Sequence, residues 1–289
     1  MTLVTGAELL AVASEHGFAV PALNLSDYNM MIAAFEVCEE VGSPLMVALG
    51  PKEGGWIGED FIPAILARAH RSSVPTALHW DHGNDLDEVI RAIRLGYTSV
   101  MIDASLQPFE KNVEVTAEVV RIARAAGVSV EGELGTIGKT EGADEGGTDD
   151  ILYTEPDEAV TFAERTGVDS LAIAIGTRHG IYPPDLKPEL KLDLLDSIDA
   201  AVDVPLVLHG GSNNPDEEIR QACTRGINKV NISSDIKGAF YDGLRETLQD
   251  RSIRDPRIVV PPAMECAREL VRHKIGLFGS ADTLQHYGH

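Results

Sequence analysis

Cysteine is scarce in this sequence. Cys38, Cys223 and Cys266 stand far apart, with no CxxC spacing, in stretches that read as helical. They read as packing residues or inert thiols in a reducing compartment, not as a disulfide framework. No apolar run reaches the ~20 residues needed to span a bilayer. The N-terminal stretch MTLVTGAELLAVASEHG has no basic segment ahead of an apolar one, so it reads as an amphipathic helix and not as a signal peptide. Positive charge is also in short supply: 24 Lys and Arg face 46 Asp and Glu, for a net charge of -22. That balance argues against nucleic acid and against an anionic membrane surface as partners. It favours a cytoplasmic protein and is compatible with a high-salt setting. Any anionic substrate must be held by a local site that works against the overall field. Internal repeats are lacking, and so is a second domain.

What is present is a regular alternation. With 289 residues, 44% of them hydrophobic, the chain can bury a large core as one domain over residues 1–289. Strand-like runs at Phe18–Leu25, Ser43–Leu49, Thr76–Gly83, Thr98–Asp103, Val128–Leu134, Ser170–Ile175, Pro205–His209 and Asn228–Ile232 are each followed by a helical pattern. Thr5 or Gly6 caps the first helix, Asp85 caps the one after the third strand, and Gly96 and Gly127 close two others. The count predicts a single (β/α)8 barrel, a TIM barrel of the α/β class, with extra helices at both ends. Pro51–Gly58 reads as a polar, Gly-rich loop, and Gly135–Asp150 as a mobile acidic one. Pro256, Pro261 and Pro262 punctuate a linker into a final helix, Ala263–Ile275.

The chemistry sits at the strand ends, where parallel α/β proteins place their sites. TALHWDHG ends on Asp81 and His82, LAIAIGTRHG reaches His179, and PLVLHGG reaches His209. Three imidazoles, each followed by Gly, predict a catalytic metal site with an open position, and zinc is the ion such ligands favour. His79 lies three residues before His82, which places it on the opposite face of the strand and gives it a structural role. Asp81 is a candidate general base; its other reading is a partner that orients a ligand histidine. Asp103 and Glu133 can ligate or support the metal, or pair with a Lys or Arg. Glu141 lies in the acidic loop, where solvation is the default and only loop closure gives it a catalytic role. Gly210-Gly211-Ser212 and Asn231 to Ser234 follow the last two strands, the usual phosphate site of such a barrel.

These residues resemble the class II, metal-dependent aldolases of the fructose- and tagatose-bisphosphate type. The likeness runs from VPALNL through ALHWDHG, TSVMIDAS, VSVEGELGTIG, VDSLAIAIGTRHG, PLVLHGGS and INKVNISSD to KIGLFGSAD, nearly the whole chain. The resemblance implies reversible cleavage of a phosphorylated ketose to dihydroxyacetone phosphate and an aldehyde. It implies that His82, His179 and His209 hold one Zn2+, with Asp103 and Glu133 near an alternative position. The zinc would chelate the substrate's carbonyl and hydroxyl oxygens and stabilise an enediolate. Asp81 would move the proton at the carbon that forms the new bond, and Glu141 would match a loop acid that assists proton transfer. Asn24, Gly180, Gly210, Gly211, Ser212, Asn231 and Ser234 would bind substrate, mostly at the dihydroxyacetone phosphate end. A monovalent cation, Na+ or K+, and a homodimer or homotetramer are further expectations.

The departures cluster at the aldehyde end. Where the family usually has NIDTD, this chain has NISSD, so Ser233 replaces an aspartate. Lys237 stands where an arginine often meets the far phosphate, and Lys lacks the bidentate fork. Gly50 replaces a serine, and Lys52 is new beside it. The expectation is therefore a non-standard aldehyde partner. Two alternatives remain: a non-catalytic partner subunit of a tagatose-bisphosphate aldolase, or another metal-dependent sugar-phosphate enzyme on the same barrel.

Overall fold

A computed structural model describes residues 2–139, 148, 150–180 and 189–288. Short runs rich in Val, Leu, Ile and Ala form eight parallel strands. They are β1 (Val20–Asn24), β2 (Leu45–Leu49), β3 (Thr76–Gly83), β4 (Ser99–Ile102), β5 (Ser129–Leu134), β6 (Ser170–Ile173), β7 (Leu206–Leu208) and β8 (Ile227–Ile232). They close in the order β1-β8-β7-β6-β5-β4-β3-β2, so every strand is paired on both edges. The eightfold barrel predicted from the alternation is the observed architecture, and no helix among the described residues is long and apolar enough to cross a membrane.

The local reasons are readable. Helix α1 (Gly6–His16) begins in a capping box, with Thr5 and Glu8 satisfying each other's backbone N–H groups. Asp27 caps α2 (Tyr28–Val41), and Asp85 caps α5 (Leu86–Leu95) by accepting from Glu88 N at 2.9 Å. Apolar side chains pointing outward from the strands pack under the helices as one large cluster. A second, smaller cluster fills the barrel's lower end. There Leu9, Leu10 and Ala13 of α1 meet Val20, Ala22, Met46, Ala77, Ala172 and Val207. Helix α1 is thus a plug, and everything above it inside the barrel is free to be polar.

Three expectations are corrected. Pro51–Gly58 is mostly helix: α3 spans Pro51–Ile57. Pro51 supplies a preset φ at its first position, and Glu53 turns back to accept from Gly50 N at 3.3 Å. The start of the acidic loop is packed: Thr136 and Ile137 are buried, and Gly138–Lys139 pairs in parallel with Arg178–His179. The final helix begins at Pro256, with Asp255 as its cap, and α11 (Pro256–Phe278) runs through Pro261 and Pro262. It tolerates the two lost N–H donors because Ala263, Ala267, Val271 and Ile275 bury one face against the molecule.

Candidate active site

Strand β3 explains why the site is where it is. Inward positions follow period two: Ala77, His79 and Asp81 point into the barrel, while Trp80 points out and meets Tyr97 edge-on at 5.6 Å. Strict alternation would put His82 outside with Trp80. Instead His82 has φ 48°, and the pairing to β4 shifts register between Trp80 and Gly83. A non-glycine residue in that region is uncommon and points to a designed irregularity. It turns His82 back over the mouth beside Asp81. His79 therefore does lie on the other side of the strand's regular pattern from a straight-strand His82, but that side is the barrel interior. His79 is fully buried there, with its Nδ1 2.8 Å from Ser99 Oγ.

His209 follows β7 directly. His179 lies six residues past the end of β6, in the short Arg178–His179 strand, and not at the end of the barrel strand itself. The ring centroids converge, with His82 4.5 Å from His209 and 5.0 Å from His179. Each of the three offers a ring nitrogen within 4.8 Å of the other two. The hydrogen bonds decide which nitrogen. His82 Nδ1 is 3.0 Å from Asp103 Oδ2, and His209 Nε2 is 2.8 Å from Glu131 Oε1. The opposite nitrogens, His82 Nε2 and His209 Nδ1, are buried and make no hydrogen bond among the described residues, and His179 brings its ring to the same point. Buried ring nitrogens without hydrogen bonds, on histidines oriented by carboxylates, fit a metal ion. His82, Asp103 and Glu133 form a second group with ligand atoms within 4.8 Å of one another.

Electrostatics agree that a cation belongs here. Burial opposes a charge on His82, yet the Asp81 and Asp103 carboxylates raise it to about 10. Burial and the His82 charge hold His179 and His209 below the usual histidine range, so both stay neutral. Burial and the Asp103 carboxylate push Glu133 well above the carboxylate range. Asp81 goes the other way: burial opposes its charge, but His82, His79 and His209 keep it well below its ordinary value. Its oxygens accept from Asn24 Nδ2 at 2.8 Å and Asn231 Nδ2 at 3.0 Å. It is a buried, ionised, rigidly held carboxylate.

Beside Asp81 a small pocket opens, lined by Asn24, His179, Gly180, Gly210, Ser212, Asn231, Ser233 and Ser234. Gly211 backs it, where a Cβ would lie 2.4 Å from Val230 Cγ1 and 2.8 Å from Asn231 O. Ser212 Oγ accepts from Ser233 N and Asp235 N, and so fixes the start of α10 (Ser234–Thr247). Asn214 Nδ2 donates back to the carbonyls of Gly210 and Ser212. The two loops are one unit.

Of the remaining predicted site residues, Lys237 lies on the first turn of α10 and donates to Glu53 at 2.7 Å and to Ser233 Oγ at 3.0 Å. Lys52 is exposed on α3 and does not line the pocket. Glu141 lies outside the described residues. The sequence reading missed three groups. Glu131 and Lys229 meet inside the barrel, with Nζ 2.7 and 2.9 Å from the two carboxylate oxygens, directly beneath His209. Period two from Glu133 and Asn231 would have pointed inward to both. Glu53 was hidden by reading its segment as a loop.

A parallel barrel with imidazoles, carboxylates and a glycine- and serine-lined pocket converging on one mouth defines a metal-dependent barrel enzyme. The sequence model of class-II fructose-bisphosphate aldolase matches residues 4–283. The chain is 38% identical over 283 residues to the D-tagatose-1,6-bisphosphate aldolase subunit GatY of Klebsiella oxytoca, covering 96% of this chain and 98% of that one. It is 39% identical over 300 residues to a fructose-bisphosphate aldolase of Thermus caldophilus, with the same coverage of 96% and 98%. The crystal structure of the YdjI aldolase from Escherichia coli K12 superposes with a TM-score of 0.84 at 32% identity, covering 97% of this chain and 98% of that one. The chain belongs to the class-II fructose-bisphosphate aldolase family, a family of metal-dependent lyases that act on phosphorylated ketoses.

Proposed function

We propose that this chain cleaves a ketose 1-phosphate unit reversibly to dihydroxyacetone phosphate and an aldehyde, with Asp81 as general base and a non-standard aldehyde partner. The observation that carries the reading is Asp81 itself, ionised between Asn24 and Asn231, bordering both the three converging imidazoles and the small pocket. In the cleavage direction the hydroxyl on the aldehyde side gives up its proton to the ionised Asp81 carboxylate, which thereby holds the proton the carbon later takes. The breaking C–C bond leaves its electron pair as an enediolate, and the carbon left behind takes a proton to complete dihydroxyacetone phosphate. Asp81 is the group that moves the proton at that carbon, and its amide partners hold it in place while it does so. His82, His179 and His209 would hold Zn2+, which supplies Lewis acidity toward the substrate's carbonyl. Asp103 and Glu133 support an alternative ion position, and Asp103 and Glu131 set the ring orientations of His82 and His209.

Backbone N–H groups at Gly180 and Gly210, the Ser212 and Ser234 hydroxyls and the N-terminus of α10 suit the 1-phosphate, while Gly211, whose N–H donates to Asn231 O at 3.0 Å, holds the loop in place. A Na+ or K+ ion beside that phosphate, assembly as a homodimer or homotetramer, and a cytoplasmic location complete the reading. Glu141 would assist proton transfer. The test is a cleavage panel on metal-quantified protein, with release of dihydroxyacetone phosphate as the readout. Release from a ketose 1-phosphate with a stoichiometric metal supports the reading; bound metal without release from any ketose overturns it.

A further inference from the structure

The side of the mouth beyond Asp81 carries a feature that the aldolase reading leaves unexplained. Glu53 is buried, at 6% exposure, although it is a charged residue on a short helix after β2. Its Oε1 accepts from Lys237 Nζ at 2.7 Å and its Oε2 from Gly50 N at 3.3 Å. Lys237 Nζ in turn donates to Ser233 Oγ at 3.0 Å. Glu53 belongs to the β2 end and Lys237 to the β8 end, with β1 between them, so the pair arches over the end of β1, where Asn24 holds Asp81. It borders the pocket through Gly50 and Ser233. A Cβ on Gly50 would lie 3.2 Å from Glu53 Oε2 and 3.3 Å from the Asp81 carbonyl oxygen, and Ser233 lines the pocket.

If the 1-phosphate lies against the loops after β6, β7 and β8, the rest of the sugar must extend past Asp81 toward this arch. Lys237 is a cation at that end, and the carboxylate 2.7 Å away neutralises it. A dianionic group arriving there meets a cancelled positive charge and a carboxylate in a part-buried setting. A hydroxyl group meets an acceptor at Glu53, donors at Lys237, and Ser233.

Resting on that reading, we propose that Glu53 is the specificity-determining residue of the aldehyde end. By holding Lys237 it selects ketose 1-phosphates whose far end is uncharged and hydroxylated, and it rejects a far-end phosphate. The device ties one cation to one carboxylate and needs no clash; the carboxylate is the filter against an anionic far end.

The test compares kcat/KM for a ketose 1-phosphate with that for the matching 1,6-bisphosphate, using metal-quantified wild type, Glu53→Gln, Lys237→Met and the double variant. Wild type should prefer the monophosphate. Glu53→Gln keeps a hydrogen-bonding side chain of the same shape while releasing the charge on Lys237. It should shift the ratio toward the bisphosphate by about tenfold or more. The double variant should lose that gain, because Lys237 supplies it. Lys237→Met alone should not lower bisphosphate turnover selectively. Glu53→Ser is the second route to the same answer should the glutamine variant fold poorly.

A wild type that cleaves the bisphosphate as well as the monophosphate overturns the inference and leaves the aldolase reading standing; Lys237 then turns from Glu53 to the phosphate. An unchanged ratio in both folded Glu53 variants overturns it as well. No dihydroxyacetone phosphate from any ketose overturns the proposed function, and this inference with it.

Discussion

Replacing Lys229 by Met tests the buried layer beneath the mouth. Lys229 is fully buried, and its Nζ lies 2.7 and 2.9 Å from the two oxygens of Glu131, itself 1% exposed. Apart from Lys229, Glu131 keeps, among the described residues, His209 at 2.8 Å and a long contact from Ser170 Oγ at 3.4 Å. Met fills much of the volume of the lysine stem, so the change is mainly electrostatic. Removing one partner of a buried pair costs roughly 3–5 kcal/mol, because the other charge is left uncompensated. At roughly 2–4 °C per kcal/mol for a chain of this order, the variant should melt roughly 6–20 °C below wild type. The same change loosens the carboxylate that orients His209, so metal affinity should fall by about 10–100-fold.

Thermal unfolding of metal-free protein and a chelator competition read the two effects separately. The double variant Lys229→Met/Glu131→Gln removes both charges and should recover part of the lost stability, since a neutral pair of similar shape avoids the stranded carboxylate. A single variant that melts within about 2–4 °C of wild type, equivalent to about 1 kcal/mol, would refute the stability argument. Unchanged metal affinity would refute the orienting role of Glu131. Strictly additive losses in the double variant would show that the two side chains act independently despite their contact.

Three shorter predictions follow from the site and the core. Asp81→Ala should keep bound metal and lose turnover by roughly 10²–10⁴-fold; a near-normal rate on metal-quantified protein removes Asp81 as the base. His209→Ala should lose metal and activity together, and full metal occupancy in that variant counts against the three-histidine site. Burial pushes the Cys223 thiol up to about 12 and the Cys38 thiol above even that, while Cys266 is only partly buried. In native protein at pH 8, alkylation followed by peptide mapping should therefore modify Cys266 first, and early labelling of Cys38 or Cys223 would contradict the packed core.

Much of this molecule was legible in its sequence because two periods coexist cleanly. Apolar runs of strand length alternate with helical stripes, and Gly or Asp marks most boundaries, so the eightfold barrel followed directly. The strand-end positions of Asp81 and His209 were legible for the same reason. The failures share one cause, which is that local composition was read without its tertiary partners. Glu53 looked like part of a solvated loop because two glycines and a lysine surround it, yet Pro51 starts a helix and Lys237, distant in sequence, draws the carboxylate in. Glu131 and Lys229 were passed over because charged residues are seldom expected inside a barrel, and only their register across the interior makes each acceptable to the other. The placement of His82 depends on one left-handed residue, which alternation cannot predict.

The interior of the barrel then has a physical order that bears on how so acidic a chain handles an anionic substrate. At the bottom, α1 seals the strands with apolar side chains. Above it lies the layer of His79, Ser99, Glu131 and Lys229, in which one cation is spent on one carboxylate. At the mouth, Asp81, Asp103 and Glu133 surround the imidazoles, so positive charge is favoured there, as the raised value of His82 reflects. The proposed phosphate pocket draws on neutral donors instead: glycine N–H groups, serine hydroxyls and a helix N-terminus. Such donors bind an anion without adding a mobile cation that the mouth carboxylates would capture. Lys237, the lysine on the first turn of α10, is captured in this way by Glu53. The separation follows from Coulomb's law at short range: in a part-buried mouth crowded with carboxylates, an ammonium pairs with the nearest of them before any substrate arrives, whereas a backbone N–H keeps its direction and cannot be drawn away.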